Sequence, residues 1–293
     1  VLGLLAAPSV CRGRLEGLPY LRSITSKRRT THDRHPRIAS GADRRLWFSI
    51  HGQIEKGATM KMPPPVGGPR SKREFSLPNR SEDDVRRASK ILSALRKRYP
   101  DAHCELDAST PHELLVATIL SAQATDVGVN KATPGLFKAF PTPADYARAT
   151  PADVEPHVRT LNFWRNKSKS VHGSMSLLVE RHGGEVPDTM PDLLALPGVA
   201  RKTANVVLGN AFAINVGVVV DTHVSRISQR FGLTRETDPK KIEPDLMALF
   251  PRPAWCLLSH LLIFHGRRAC KARGATCQED SICRRYCANA RSD

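Results

Sequence analysis

One lysine in this 293-residue chain stands where simple electrostatics would not put it. It lies in the stretch LPGVARKTANVV, residues 196–207. Leu193, Leu194 and Leu196 recur at helical spacing up to Pro197 and Gly198, which cannot continue a helix. Val199, Ala204, Val206 and Val207 take the pattern up again, which predicts helix, tight hairpin, helix. Backbone N–H groups at such a turn, and at the start of the second helix, have no intrahelical partner and attract anions. Pro197, Gly198 and Arg201 are therefore candidate phosphate contacts. A cation is better placed at the opposite end of a helix. Lys202 is thus either another phosphate contact or an amine held where its ammonium form is disfavoured. The helix N-terminus and the neighbouring charge of Arg201 both act in the second direction, and the neutral amine is the nucleophilic form.

Two further groups have types and spacings suited to chemistry. Asp221 closes the run VGVVV (216–220) and opens a helical stretch, where its carboxylate can cap the N–H of Val224 or a neighbour. The seven cysteines are unevenly spread: Cys11, Cys104 and Cys256 stand apart, whereas Cys270, Cys277, Cys283 and Cys287 crowd the end of the chain. A secreted disulfide framework would be spread more evenly, so these four read as a metal site. Four thiolates close in sequence suit a [4Fe–4S] cluster, with a structural zinc ion as the alternative.

These groups need a scaffold, and from residue 81 onward the pattern is helical throughout. In SEDDVRRASKILSALRKRYP, Ser81 is an N-cap with Asp84 three residues later. Val85, Ala88, Ile91, Leu92 and Leu95 make one apolar face, and Pro100 ends the helix. PHELLVATILSAQATD (111–126) reads as one buried helix that is apolar on most sides. Further helices are predicted over 127–139, 143–149, 151–160, 166–182, 190–196, 201–213, 222–231, 240–248 and 253–266. VGVVV is the one β-like run, too short and solitary for a sheet. The fold class is all-α.

The formal charge of +17 is uneven: residues 1–73 hold 15 Lys and Arg against 4 Asp and Glu, the remainder 30 against 24. A basic excess favours a polyanionic partner, nucleic acid first and an acidic membrane surface second. No apolar run approaches the ~20 residues of a membrane span. VLGLLAAPSV lacks a basic stretch before it, which argues against a secretory signal. Residues 1–80 read as a disordered basic extension. Either Met60 or Met62 is the true start and 1–59 are not made, or the Arg-rich segment is an organellar transit peptide.

Four motifs occur in one order: ILSAQATDVGVNKAT (119–133), LPGVARKTAN (196–205), VDTH (220–223) and the cysteines from 270 to 287. Over about residues 80–290 this order resembles the endonuclease III family of helix-hairpin-helix DNA repair glycosylases. The resemblance implies two helical domains. Residues 104–215 would form a barrel carrying the hairpin 196–202. Residues 82–103 with 216–293 would form the second domain, carrying the cluster loop 270–287. DNA would lie in the cleft between them.

The same resemblance implies the chemistry. Lys202 attacks the sugar C1′ of an oxidised pyrimidine nucleotide, expels the base and holds the sugar as a Schiff base, and β-elimination then nicks the strand. Asp221 faces it, stabilising the cationic sugar and assisting deprotonation of the amine. The nucleotide must be flipped out of the duplex; Gln123 fills the vacated space and Phe163, or next to it Trp164, wedges in from the other side. Asn162 stands where the family usually has Gly. Lys131, Arg165, Lys167 and Lys169 are expected phosphate contacts, as are Arg267, Arg268, Lys271, Arg273, Arg284 and Arg285.

The cysteine spacing departs from the family's C-x6-C-x2-C-x5-C. Here it is C-x6-C-x5-C-x3-C, with Asp280 at the third position, so the loop from Cys277 to Cys283 must take another path. Ala200 stands where the hairpin usually has a second Gly, which leaves a distorted turn open. The implied enzyme is a monomer on double-stranded DNA containing damaged bases or abasic sites, without a membrane. It would be cytoplasmic if bacterial, nuclear or mitochondrial if eukaryotic. Two alternatives remain: a glycosylase of the adenine-mismatch type without a lysine nucleophile, and a non-catalytic hairpin module. Lys202 argues against the first, and SAQATD together with VDTH against the second.

Overall fold

The computed structural model describes residues 76–273 and 277–290, with Asn289 by its backbone alone. The expectations for the basic extension up to residue 75 lie outside the described residues. At the end of that segment Arg80 forms an ion pair with Asp245. Twelve α-helices and two short 3-10 turns make up the described chain, and no strand occurs among the described residues. VGVVV forms no strand: residues 216–217 bend and 218–220 are irregular.

Local chemistry sets the helix starts. Helix α1 (Glu82–Arg98) is capped by Ser81 and carries acids in its first turn and bases in its last, which complements its dipole. Thr-Pro pairs start three more: α2 (Pro111–Leu120), α4 (Pro143–Arg148) and α5 (Pro151–Val158). Proline lacks only an N–H that would be unpaired there. Glu113, Asp145 and Asp153 return hydrogen bonds to the capping threonines. The helix expected over 111–126 is broken at Ser121. Gln123 takes a left-handed conformation (φ 53°), and Thr125 caps a new helix, α3 (Asp126–Ala139), by accepting from the Gly128 N–H at 3.1 Å. A threonine hydroxyl that competes for backbone N–H groups outweighs the apolar run before it.

Two apolar cores follow. The first unites α2–α5 with α6 (Trp164–His182), α7 (Met190–Leu194) and α8 (Arg201–Ala211), around Leu115, Leu120, Leu136, Tyr146, Met175 and Leu208. The second unites α1 with α9 (Thr222–Arg230), α10 (Pro239–Leu249), α11 (Trp255–Arg268) and α12 (Ser281–Tyr286), around Ile91, Leu95, Phe231, Leu246, Leu262 and Phe264.

A buried carboxylate joins them. Glu243 on α10 accepts from Arg201 on α8 at 2.9 and 3.0 Å and from Asn205 Nδ2 at 3.0 Å. Gly217 passes so close that a Cβ there would fall 1.9 Å from Glu243 Oε1. Removing one partner of a buried ion pair costs about 3–5 kcal/mol. Because the Arg201 side chain is 30% exposed, Glu243→Ala is expected to lower stability by about half that. Urea unfolding with an unchanged slope would report it.

The His260 ring on α11 lies 2.8 Å from Asn210 Oδ1 and 3.7 Å from Cys256 Sγ. Burial, assisted by the positive charge of His103, lowers its pKa from 6.5 to about 4. The unfolded chain therefore binds a proton below about 6.5 that the folded chain refuses until about 4. The stabilisation is complete above 6.5 and is lost as the pH falls through this window. The urea midpoint should drop between pH ~7.5 and ~5, and His260→Gln should shrink the drop.

Candidate active site

Between α7 and α8 the chain turns through residues 195–200. Leu193, Leu196 and Val199 are buried and anchor the turn in the first core. Ser174 Oγ donates to the Pro197 carbonyl at 2.6 Å, and the Val199 N–H donates to the Leu196 carbonyl at 3.1 Å. Gly198 has φ 76°, and a Cβ there would lie 2.7 Å from Ser170 Cβ. Both conformation and space therefore require glycine. Ala200 is extended (φ −93°, ψ 170°), so the alanine leaves the turn undistorted. Helix α8 starts with neither a side-chain cap nor an acidic residue in its first turn, which keeps its positive end available to an anion.

Lys202 is exposed and lines a cavity of about 390 Å³ together with Val220, Asp221, Thr222, Ser225, Arg226, Gln229 and Pro239. Asp221 caps α9, its Oδ1 accepting from the Val224 N–H at 2.8 Å. A second carboxylate that sequence reasoning passed over belongs to the same neighbourhood. Asp126 accepts from Arg267 Nη2 at 2.6 Å. Burial raises its pKa and the negative charge of Asp221 adds to this, while Lys202 and His223 oppose it. Its only sequence signal was the Thr-Asp pair ending SAQATD, which marks a helix start. Arg201, by contrast, turns to Glu243, so its charge is balanced by a carboxylate instead of standing bare beside Lys202.

Helix α9 connects this cavity to the cysteines. His223, Arg226 and Arg230 lie along one face. Arg226 is 3.2 Å from His223 Nδ1 and donates to the carbonyls of Gly266 and Cys270. Arg230 donates to Cys270 Sγ at 3.1 Å and to the Lys271 carbonyl at 2.9 Å. Cys270, Cys277 and Cys287 bring their sulfurs within 4.8 Å of one another, and so do the donor atoms of His265, Cys270 and Cys283. The Cys270 thiol is lowered to about 5, first by a hydrogen bond with Cys283 and then, against burial, by Arg230. Asp280 is not a donor in this group. It caps α12, accepting from the Ile282 and Cys283 N–H groups at 2.9 Å, and faces Arg98 at 3.8 Å. Soft, converging thiols are the donor set of an iron–sulfur cluster or zinc, so the residues present fit such a group.

Comparison with known proteins decides the family. Residues 116–252 match the HhH-GPD superfamily of base excision DNA repair proteins. Endonuclease III of a Synechocystis species is 52% identical over 204 residues, covering 70% of this chain and 93% of that protein. The chain belongs to the endonuclease III family. With it, the chain is a DNA glycosylase and abasic-site lyase of base excision repair. Two solved structures, a non-covalent endonuclease III–DNA complex and a trapped covalent endonuclease III–DNA intermediate with an estranged adenine, each superimpose with a TM-score of 0.66. Each has 39% identity and covers 70% of this chain and 96% of its own.

The loops that the family resemblance assigns to the duplex have a shared strain. Gln123 (φ 53°) and Phe163 (φ 57°) are both left-handed, and both are exposed, Phe163 by 61%. Asn162 does not take the positive φ; its Nδ2 donates across to the Gln123 carbonyl at 3.2 Å. Trp164 is half-buried against the first core, with the Arg165 guanidinium 4.1 Å over its ring. Lys167 corrects the expectation of a phosphate contact. It is 5% exposed, its Nζ has no hydrogen-bond partner among the described residues, and burial lowers its pKa. It stands on the inner face of α6 with Val171 and Met175, a placement the charge alone could not reveal. Arg165, Lys169 and Lys131 are exposed. Arg267 is engaged by Glu105 and Asp126, and Arg268 by Asp101 and the Phe264 ring, so these two are structural ties in the protein itself.

Two substitutions test the local geometry. Gly198→Ala should destabilise the fold by at least ~1 kcal/mol through positive-φ strain and the Ser170 clash. Asp221→Ala should cost about 1 kcal/mol by loss of the cap, whereas Asp221→Asn, an equally good cap, should cost little. Thermal unfolding of the three variants separates these effects.

Proposed function

We propose that this enzyme removes oxidised pyrimidines from double-stranded DNA and cleaves the resulting abasic site by β-elimination, through a Schiff base on Lys202. The observation that carries the reading is that Lys202, at an uncapped helix start behind the hairpin, shares one cavity with the carboxylate of Asp221. The neutral amine attacks C1′ of the flipped nucleotide. The bond from C1′ to the base breaks, and the base leaves with a proton. Asp221 stabilises the positive charge that grows on the sugar as the base departs. Opening of the ring gives the imine, whose electron withdrawal acidifies C2′. Loss of that proton expels the 3′ phosphate oxygen.

In this reading Pro197 and Gly198 hold a phosphate at the turn, while Gln123 and Phe163 fill the space left by the nucleotide. Residues 104–215 and 82–103 with 216–293 serve as the two domains that line the DNA cleft. The four thiols hold a [4Fe–4S] cluster, with zinc as the alternative. It would tie the loop after α11, through Cys270 and Cys277, to α12, through Cys283 and Cys287, with no part in the sugar chemistry. The enzyme acts as a monomer. Among the described residues no helix is long and apolar enough to cross a membrane. The enzyme works on DNA, in the cytoplasm of a bacterium or the nucleus or mitochondrion of a eukaryote.

The test is a duplex with one oxidised thymine, treated with borohydride in the presence of the protein. A covalent protein–DNA adduct is expected, and none with Lys202→Ala. Asp221→Asn, which keeps its cap, should slow base release by about 10²-fold or more. Tight binding of an abasic duplex without any adduct would leave the hairpin a binding module and end the lyase assignment.

A further inference from the structure

Within the second core a chain of hydrogen bonds runs from α1 to the thiols. Tyr99 Oη lies 3.0 Å from His265 Nδ1, and His265 Nε2 lies 3.3 Å from Cys283 Sγ. All three side chains are buried, Tyr99 to 4% exposure and the other two to 0%. The imidazole is held on every side. The rings of Phe231 and Tyr99 pack against it at 5.3 and 5.9 Å between centroids, and the His265 carbonyl accepts from the Cys270 N–H at 2.9 Å. Cys283 is held as firmly from its own helix, because the Asp280 cap fixes its N–H. The His265 ring cannot swing away from the 3.3 Å contact without breaking its buried hydrogen bond with Tyr99.

A neutral imidazole has one N–H and one acceptor nitrogen. With the Tyr99 hydroxyl donating to Nδ1, the proton resides on Nε2 and points at the sulfur. We propose that His265 is a tuning residue for the metal centre, donating its Nε2–H to the cluster-bound thiolate of Cys283, with Tyr99 fixing the tautomer. This rests on the reading of the four thiols as a [4Fe–4S] site. An N–H dipole aimed at a ligand sulfur stabilises the more reduced, more negative cluster, so its removal moves the reduction potential to more negative values. The same three donor atoms, His265, Cys270 and Cys283, are close enough for a different role, with His265 as a direct ligand. The two roles part on iron content: loss of a donor leaves the iron in place, whereas loss of a ligand releases it.

The experiment compares the wild-type holoenzyme with His265→Leu, His265→Gln and Tyr99→Phe. Iron and acid-labile sulfide per chain, the visible spectrum and the reduction potential by voltammetry are measured for each. The expected result is full iron and sulfide in all four. The potential should be more negative for His265→Leu, return towards wild type for His265→Gln, whose amide N–H can reach the Nε2 position, and shift less for Tyr99→Phe. Should His265→Leu fail to fold, the Tyr99→Phe potential still decides. Iron lost from both His265 variants, with their helicity intact, would overturn the proposal in favour of a ligand role. Unchanged potentials with full iron would overturn the hydrogen bond. Wild-type protein carrying zinc without sulfide would remove the cluster reading itself, while the borohydride adduct would still report the lyase chemistry separately.

Discussion

The carboxylate of Glu243 ties the helix that carries Lys202 to the second core. Lys202 belongs to a helix of the first core and Asp221 to a helix of the second, and apolar packing within each core does nothing to set the distance between them. Glu243 reaches from α10 to two residues of α8, Arg201 and Asn205, which flank Lys202 along the helix. A buried carboxylate without such partners would be strongly unfavourable, so the contact is directional and selects one relative placement. Gly217 at the crossing is the steric counterpart, since no side chain fits between the backbone and that carboxylate.

Around this frame the functional groups follow one physical pattern. Helix ends do the work, and the loops that lead into them carry the strain. Lys202 is the second residue of a helix with no side-chain cap, and Asp221 is itself the cap of the next. Gln123 and Phe163 adopt left-handed backbone just before α3 and α6, a conformation that costs non-glycine residues about 1–3 kcal/mol where the surroundings impose it. Asn162 ties one strained segment to the other, so the two exposed side chains are presented together.

Much of this was legible in the sequence where local chemistry decides. Ser81 announced a helix start, and the Pro197–Gly198 break announced the hairpin. The failures have a common cause in tertiary contact. The apolar run from Leu114 to Leu120 hid the break at Ser121, because periodicity cannot weigh a threonine cap against continued helix. Lys167 reads as a surface cation until α6 packs its inner face on the first core. Glu243 and His265 gave no signal, since their partners lie 42 and 18 residues away in the chain. Asp280 was noticed only as a missing cysteine, and its work as a helix cap appears once α12 is in view.

Helix α9 begins at the carboxylate of Asp221 and ends with Arg230 on the sulfur of Cys270. A helix of nine residues is about 13 Å long and behaves as a stiff rod on that scale. The arginines bolt one end of the rod to the cysteine loop, and the cavity is built on the other. The loop is thus the footing of a lever whose tip is the carboxylate of Asp221. A small settling of that footing displaces Asp221 relative to Lys202 although no thiol lines their cavity.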